Sequence, residues 1–244
     1  MKPAKSFHDS GRRSFYLKDH KVKPYYDDGN GIVIYHSDCR EILPQLGTFD
    51  LAILDPPYLL PVMKGAGCFG GRASLTGTQG FTDMGFSSDI LKQFTNWFCF
   101  CSRHNLTDVL GRASDSKWAL LHWCKTNPVP TCNNTYLSDV EFIVHRWTKG
   151  RLFGEFKDKS LFFLHPVGDK DTSHPNEKPM KLITKLITLG TQPGESIIDC
   201  YAGSCTTAVA ARLEGRRATM IEISERYCEI GANRLRQNVF QFSD

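Results

Sequence analysis

Asp55-Pro-Pro-Tyr58 follows directly on the apolar run Phe49-Asp-Leu-Ala-Ile-Leu54. Asp55 followed by the rigid diproline Pro56-Pro57 holds two acceptors, the Asp55 carboxylate and the Pro56 carbonyl, in a set geometry. Together they can take the two hydrogens of a planar NH2 group. Such bonding draws the nitrogen lone pair out of conjugation with its ring, and the amine becomes nucleophilic enough for in-line attack on a sulfonium methyl. Tyr58 offers a face on which a planar ring can stack. The plain alternative is an ordinary Pro-Pro turn after a strand; its place at the C-terminal end of a strand favours the chemical reading.

A second stretch, Asp199-Cys-Tyr-Ala-Gly-Ser-Cys-Thr-Thr207, joins a short apolar run to a helix. Small residues at Ala202, Gly203 and Ser204 let a ligand approach the backbone beside the N-terminus of that helix. Glu222 closes the next apolar run, where an acid can accept both hydroxyls of a ribose. The turn is not G-x-G-x-x-G, so a nicotinamide fingerprint is absent. By itself the unit admits an adenosine-containing cofactor or a merely structural β-α-β repeat.

Strands are predicted at 31–36, 49–54, 118–123, 140–147, 196–199 and 218–223. Helices are predicted from Asp38 to Leu46, Ser88 to Arg103, Pro179 to Leu189, Thr206 to Glu214 and Ser224 to Arg236. On this reading Trp97, Phe98 and Phe100 are helical core. Residues 59–87 hold seven glycines and little periodicity, which predicts a long mobile loop. Residues 125–130 form a turn, and 148–173 are polar and irregular. Strands alternating with helices predict an α/β fold with a doubly wound, mostly parallel sheet.

The 244 residues, 41% hydrophobic, suffice for one large domain over 25–244. No apolar stretch approaches the length of a membrane span, and the basic start lacks the pattern of a secretory signal, so a cytoplasmic protein without membrane contact is expected. The nine cysteines include no Cys-x-x-Cys pair, and the eight histidines are scattered. Reduced thiols and no metal are therefore expected. Net charge is +4, but residues 1–24 carry seven Lys or Arg against two Asp. This basic arm suits contact with a phosphate backbone, or is a solvated tail.

The two motifs together resemble the catalytic and cofactor signatures of amino-group DNA methyltransferases (N6-adenine and N4-cytosine). Their order, catalytic half first, resembles the circularly permuted β group of that family. His174-Pro-Asn-Glu-Lys-Pro179 resembles the segment beside the methionine part of the cofactor, and Ser37-Asp38-Cys39 the position whose acid bonds the adenine. Glu222, Tyr227 and Arg234 match the ribose strand and the helix after it, and Lys125-Thr-Asn-Pro128 resembles a loop near the base pocket. The resemblance implies a Rossmann-like methyltransferase sheet, S-adenosylmethionine as cofactor and double-stranded DNA as partner. It further implies direct methyl transfer to a flipped base in a prokaryotic or phage-infected cell. The implied catalytic residues are Asp55, Pro56, Pro57 and Tyr58. Those implied at the cofactor are Asp38, Lys178, Asp199, Tyr201, Ala202, Gly203, Ser204, Thr206 and Glu222.

The Asp-Pro-Pro-Tyr form is associated mainly with N6-adenine enzymes and points to adenine, with N4-cytosine the alternative. A DNA-binding protein with a decayed methyltransferase fold is a further alternative, against which intact Asp55, Tyr58 and Glu222 speak. Two departures stand out. Cys205 replaces a usual second glycine, which would put a thiol near the cofactor, and Tyr201 replaces a phenylalanine. For Lys178, contact with the methionine carboxylate or DNA competes with a solvated position. Target recognition falls to the short segment 148–173, a homodimer stays open, and no feature identifies a restriction partner or a recognition sequence.

Overall fold

The computed structural model describes residues 23–57, 86–128, 136–167 and 177–237. Most of the basic arm, Tyr58, nearly all of the glycine-rich segment 59–87 and His174 lie outside the described residues.

Nine strands, among the described residues, form one sheet: β1 (Tyr26–Asp27), β2 (Ile32–His36), β3 (Leu51–Leu54), β4 (Trp97–Cys101), β5 (Lys117–Lys125), β6 (Val140–Trp147), β7 (Phe162–His165), β8 (Ser196–Asp199) and β9 (Arg217–Glu222). Their spatial order is β1-β2-β9-β8-β3-β4-β6-β5-β7. The stretch β2-β9-β8-β3-β4 is parallel throughout, whereas β6 runs antiparallel to both β4 and β5. Five α-helices among the described residues accompany it: α1 (Cys39–Ile42), α2 (Leu106–Ala113), α3 (Met180–Gly190), α4 (Thr206–Leu213) and α5 (Glu225–Gln237).

The two-residue side-chain period of the strands divides the core into two layers. Ile32, Ile34, Leu51, Ile53, Phe98, Phe100, Ile197 and Met220 face α3, α4 and α5. Val33, Tyr35, Ala52, Leu54, Trp97, Cys99, Ile198 and Ile221 face α1 and α2. Both faces are covered, as a parallel sheet requires, and the expected doubly wound, mostly parallel α/β architecture is what the chain adopts.

Two expectations need correction. The helix predicted from Ser88 to Arg103 is a 3-10 turn at Ser88–Gln93 followed by β4. All five residues of β4 are buried because β3 and β6 flank it and helices cover both faces. A continuous apolar run of this kind carries no period that separates a central strand from a buried helix. Segment 148–173, expected to be irregular, contributes β7, which pairs parallel with β5 at the sheet's edge.

Candidate active site

In a parallel sheet every strand delivers its C-terminal end to the same edge. Here that edge carries four acids in spatial order. Asp38 follows β2, Glu222 ends β9, Asp199 ends β8, and Asp55 follows β3. Adjacent strands lie about 4.8 Å apart, so the row spans roughly 14 Å. A cleft lined by Asp55, Lys178, Asp199, Ala202, Gly203 and Ser204 joins the two sequence motifs.

Each acid is held differently. Asp38 caps α1, accepting from the Arg40 amide at 2.9 Å, and it pairs with the Arg40 guanidinium, which holds its carboxyl below the usual range. Glu222 is buried and accepts from the backbone amides of Gly203 (2.7 Å) and Ser224 (2.8 Å). Burial nevertheless pushes its pKa up. Asp199, also buried, accepts from the Tyr201 amide at 3.0 Å and from the Thr207 hydroxyl at 2.7 Å. Burial raises the Asp199 pKa to about 7, with the charges of Asp55 and Glu222 adding to the effect. Among the described residues no cation pairs with it. Asp55, by contrast, lies 2.5 Å from the Lys178 ammonium.

The turn between β8 and α4 is built for close approach. Ala202 donates its amide to Ile221 on β9 and accepts from the Cys205 amide at 2.8 Å. Gly203 takes φ +51, a conformation in which a side chain would be strained. Behind the turn, Arg234 of α5 donates to the Ser204 carbonyl (2.9 Å) and the Thr206 hydroxyl (3.0 Å), and it pairs with buried Glu177 at 3.0 Å.

The donor set therefore suits an adenosine-containing sulfonium cofactor. Asp199 is a buried carboxyl with room on its cleft side for a cation, Glu222 is an oriented acceptor at the next strand end, and small residues separate the two.

Residues 146–233 match the family model described as DNA methylase (N6_N4_Mtase). Across 88% of this chain the Type II methyltransferase M2.DpnII of Streptococcus pneumoniae is 26% identical, with 92% of the relative covered. The Type II methyltransferase M2.MboI of Moraxella bovis is 24% identical, covering 88% of this chain and 91% of the relative. Over most of its length the chain is thus similar to Type II DNA methyltransferases, with the DNA methylase match in its C-terminal part. Its fold is also that of the solved M1.HpyAVI–SAM complex (TM-score 0.61, 23% identity, 82% of this chain and 98% of that one). The cytosine-N4-specific PvuII DNA methyltransferase shares it too (TM-score 0.66, 16% identity, 93% of this chain and 91% of that one).

The family match contains Lys178, Asp199, the small-residue turn and Glu222, while Asp38 and Asp55 lie before it and are reached by the longer alignments. The methylase fold brings all of these to one edge, with Tyr201, Ala202, Gly203 and Ser204 between Asp199 and α4. Pro56 is buried at the start of the turn after β3, and Pro57 is half-buried.

Two features depart from the sequence expectations. Cys205 does not put its thiol at the cofactor. It adopts φ +61 and is fully buried, with its side chain packed against Gly231 of α5. Lys178 is not solvated; at 9% exposure it is buried between Asp55 and Glu141. Thr206 and Thr207 both line the cleft; the Thr207 hydroxyl bonds Asp199 at 2.7 Å, and that of Thr206 bonds Glu177 at 2.9 Å. Sequence reasoning missed Glu141, which carries no local signal; Lys125 and Glu177 entered it only as parts of the Lys125–Pro128 and His174–Pro179 segments, without the ion pairs they make here.

Proposed function

We propose that this methylase transfers the methyl group of S-adenosylmethionine to an exocyclic amine of a DNA base, in a site-specific manner, and that the amine is adenine N6. The observation that carries this reading is the row Asp38, Glu222, Asp199, Asp55 along one sheet edge, with the proline-braced carboxylate next to the buried one. The order matches the parts of the reaction. Asp38 would hold an adenine, Glu222 a ribose, Asp199 a methionine ammonium, and Asp55 the accepting amine.

When bound, the cofactor supplies an electrophilic methyl on a sulfonium. The chain's own residues do the rest. Asp55 and the Pro56 carbonyl accept the two amine hydrogens and aim the nitrogen lone pair along the cleft. Asp199 and Glu222 would hold the cofactor by its ammonium and its hydroxyls, which orients it toward the amine held at Asp55. No strong base is needed before transfer, because the surplus proton leaves afterward to Asp55 or water. Tyr58, outside the described residues, is assigned the stacking face for the flipped base. Target recognition is assigned to 148–173, where β7 leaves Phe162 and Leu164 exposed.

Incubation with labelled S-adenosylmethionine and duplex DNA, followed by nucleoside separation, tests the proposal. Label in N6-methyladenine is expected; label in N4-methylcytosine alone would replace the base and keep the reaction. Asp55→Asn should lower the transfer rate at least about a hundredfold while leaving cofactor affinity nearly unchanged.

A further inference from the structure

The ammonium of Lys178 is buried and has two anionic neighbours. Asp55 Oδ2 lies 2.5 Å away, and Glu141 Oε2 on β6 lies 3.6 Å away. Glu141 Oε1 in turn pairs with Lys125 of β5 at 2.9 Å. Asp55, Lys178, Glu141 and Lys125 thus alternate in sign from the end of β3 across to β5. The ring of Phe100 packs 5.0 Å from the Lys178 ammonium. The neighbouring residue, Glu177, is tied the other way, to Arg234 and Thr206 at the cofactor turn. One dipeptide therefore places a carboxylate on the cofactor turn and an ammonium on the catalytic turn.

A buried ion pair is a poor device for stability alone, since a well-packed apolar pair of similar volume often serves as well or better. Its position beside Asp55 points to chemistry. Asp55 and Asp199 end neighbouring strands, and two adjacent carboxyls resist carrying charge together. The placement of the Lys178 ammonium decides between them, because among the described residues Asp199 has a hydroxyl and an amide as its hydrogen-bond donors.

We propose that Lys178 and Glu141 are positioning residues for Asp55: Lys178 holds Asp55 Oδ2 so that the carboxylate meets the target amine as an anion in one orientation, and Glu141 holds Lys178. The proposal rests on the reading of Asp55 as the acceptor of the target amine. The other titratable groups facing this set are Asp199 on β8, Cys99 on β4, whose thiol burial keeps neutral, and Lys125. Burial pulls the Lys178 pKa down, but the charges and hydrogen bonds of Asp55 and Glu141 outweigh it, and the ammonium stays protonated.

Opposite charge changes give opposite shifts. The titration of the Asp55 carboxyl is followed by carbon-13 NMR, assigned by its loss in Asp55→Asn, and the acid limb of single-turnover methyl transfer is followed in parallel. Lys178→Met should move both to higher pH by about one to three units. Glu141→Gln, which removes the charge that partly neutralises Lys178, should move both to lower pH. Lys178→Arg should return the limb toward its wild-type position. Cofactor Kd should stay within about threefold in all of them while the Lys178→Met rate falls tenfold or more, a split that belongs to lost transition-state contacts. An unmoved Asp55 titration in Lys178→Met, or a cofactor Kd that weakens in step with the rate, would overturn the assignment. If Lys178→Met does not fold, a shift to higher pH or no shift in Glu141→Gln would do so. If the wild type transfers no methyl to DNA, the functional reading fails, and the Asp55 titration still decides this one.

Discussion

Asp55 and Asp199 follow and end the adjacent parallel strands β3 and β8 and line one cleft, but among the described residues only Asp55 is paired with an ammonium, that of Lys178 at 2.5 Å. Two carboxyls of the same chemistry are thereby given different partners. Asp199, with a pKa of about 7, is half protonated near neutrality before any cation reaches it.

The pH dependence of cofactor binding follows from this. An ammonium docked on Asp199 favours the ionised carboxylate, so binding releases a proton below about pH 7. Affinity should rise by up to about tenfold per pH unit as pH approaches 7, then level off. The apo protein shows the opposite trend. Because the folded pKa lies above the ordinary 3.8, the stability tied to this group is full at acid pH and is lost as pH rises through 7. Calorimetry in buffers of different ionisation enthalpy measures the released proton, and Asp199→Asn should abolish the release. A pH-independent affinity in the wild type would place the ammonium elsewhere.

Glu222 serves the turn as well as the ligand. Replacing it with Ala removes the acceptor for the Gly203 and Ser224 amides together with the ribose contact. Cofactor binding should weaken by about 1–3 kcal/mol, and the melting temperature should fall because two amides lose their partner. Unchanged affinity with a lowered melting temperature would leave Glu222 a purely structural residue.

Cys205 and Gly231 occupy one space between them. A Cβ placed on Gly231 would lie 2.4 Å from the Cys205 Sγ and 2.9 Å from its Cβ. Gly231→Ala should therefore cost about 1–3 kcal/mol by overpacking. Adding Cys205→Gly removes both atoms and relieves the left-handed strain at φ +61, so the double variant should recover most of the loss. Denaturant unfolding of the four proteins measures the coupling; additive losses would mean that the two side chains do not share the space.

His145 should govern acid sensitivity. It is buried and stacked between Phe98 (3.8 Å between ring centroids) and Trp147 (4.5 Å), and desolvation lowers its pKa to about 3. The unfolded chain takes up this proton near 6.5 and the folded one only near 3, so stability falls by up to about 1.4 kcal/mol per pH unit between those values as pH drops. His145→Phe should flatten that part of the stability–pH curve. An equally steep curve in the variant would assign the acid loss to other groups.

The sequence by itself determined the parts that depend on neighbouring residues. Asp55-Pro-Pro after an apolar run, the small-residue turn from Ala202 to Ser204, and Glu222 at a strand end could be read locally. So could α3, α4 and α5, because turns, caps and helix periodicity are set within a few residues. The tertiary structure alone decided what depends on distant partners. Trp97 to Cys101 became a strand because β3 and β6 came to lie on either side of it, and a run buried on both faces has no local period to announce this. Cys205 turned into the core because Gly231, on another helix, left it room. Lys178 found Asp55 and Glu141 only once the sheet order had brought the ends of β3 and β6 to the same segment, since a buried charge must settle on whatever opposite charge the fold places within reach.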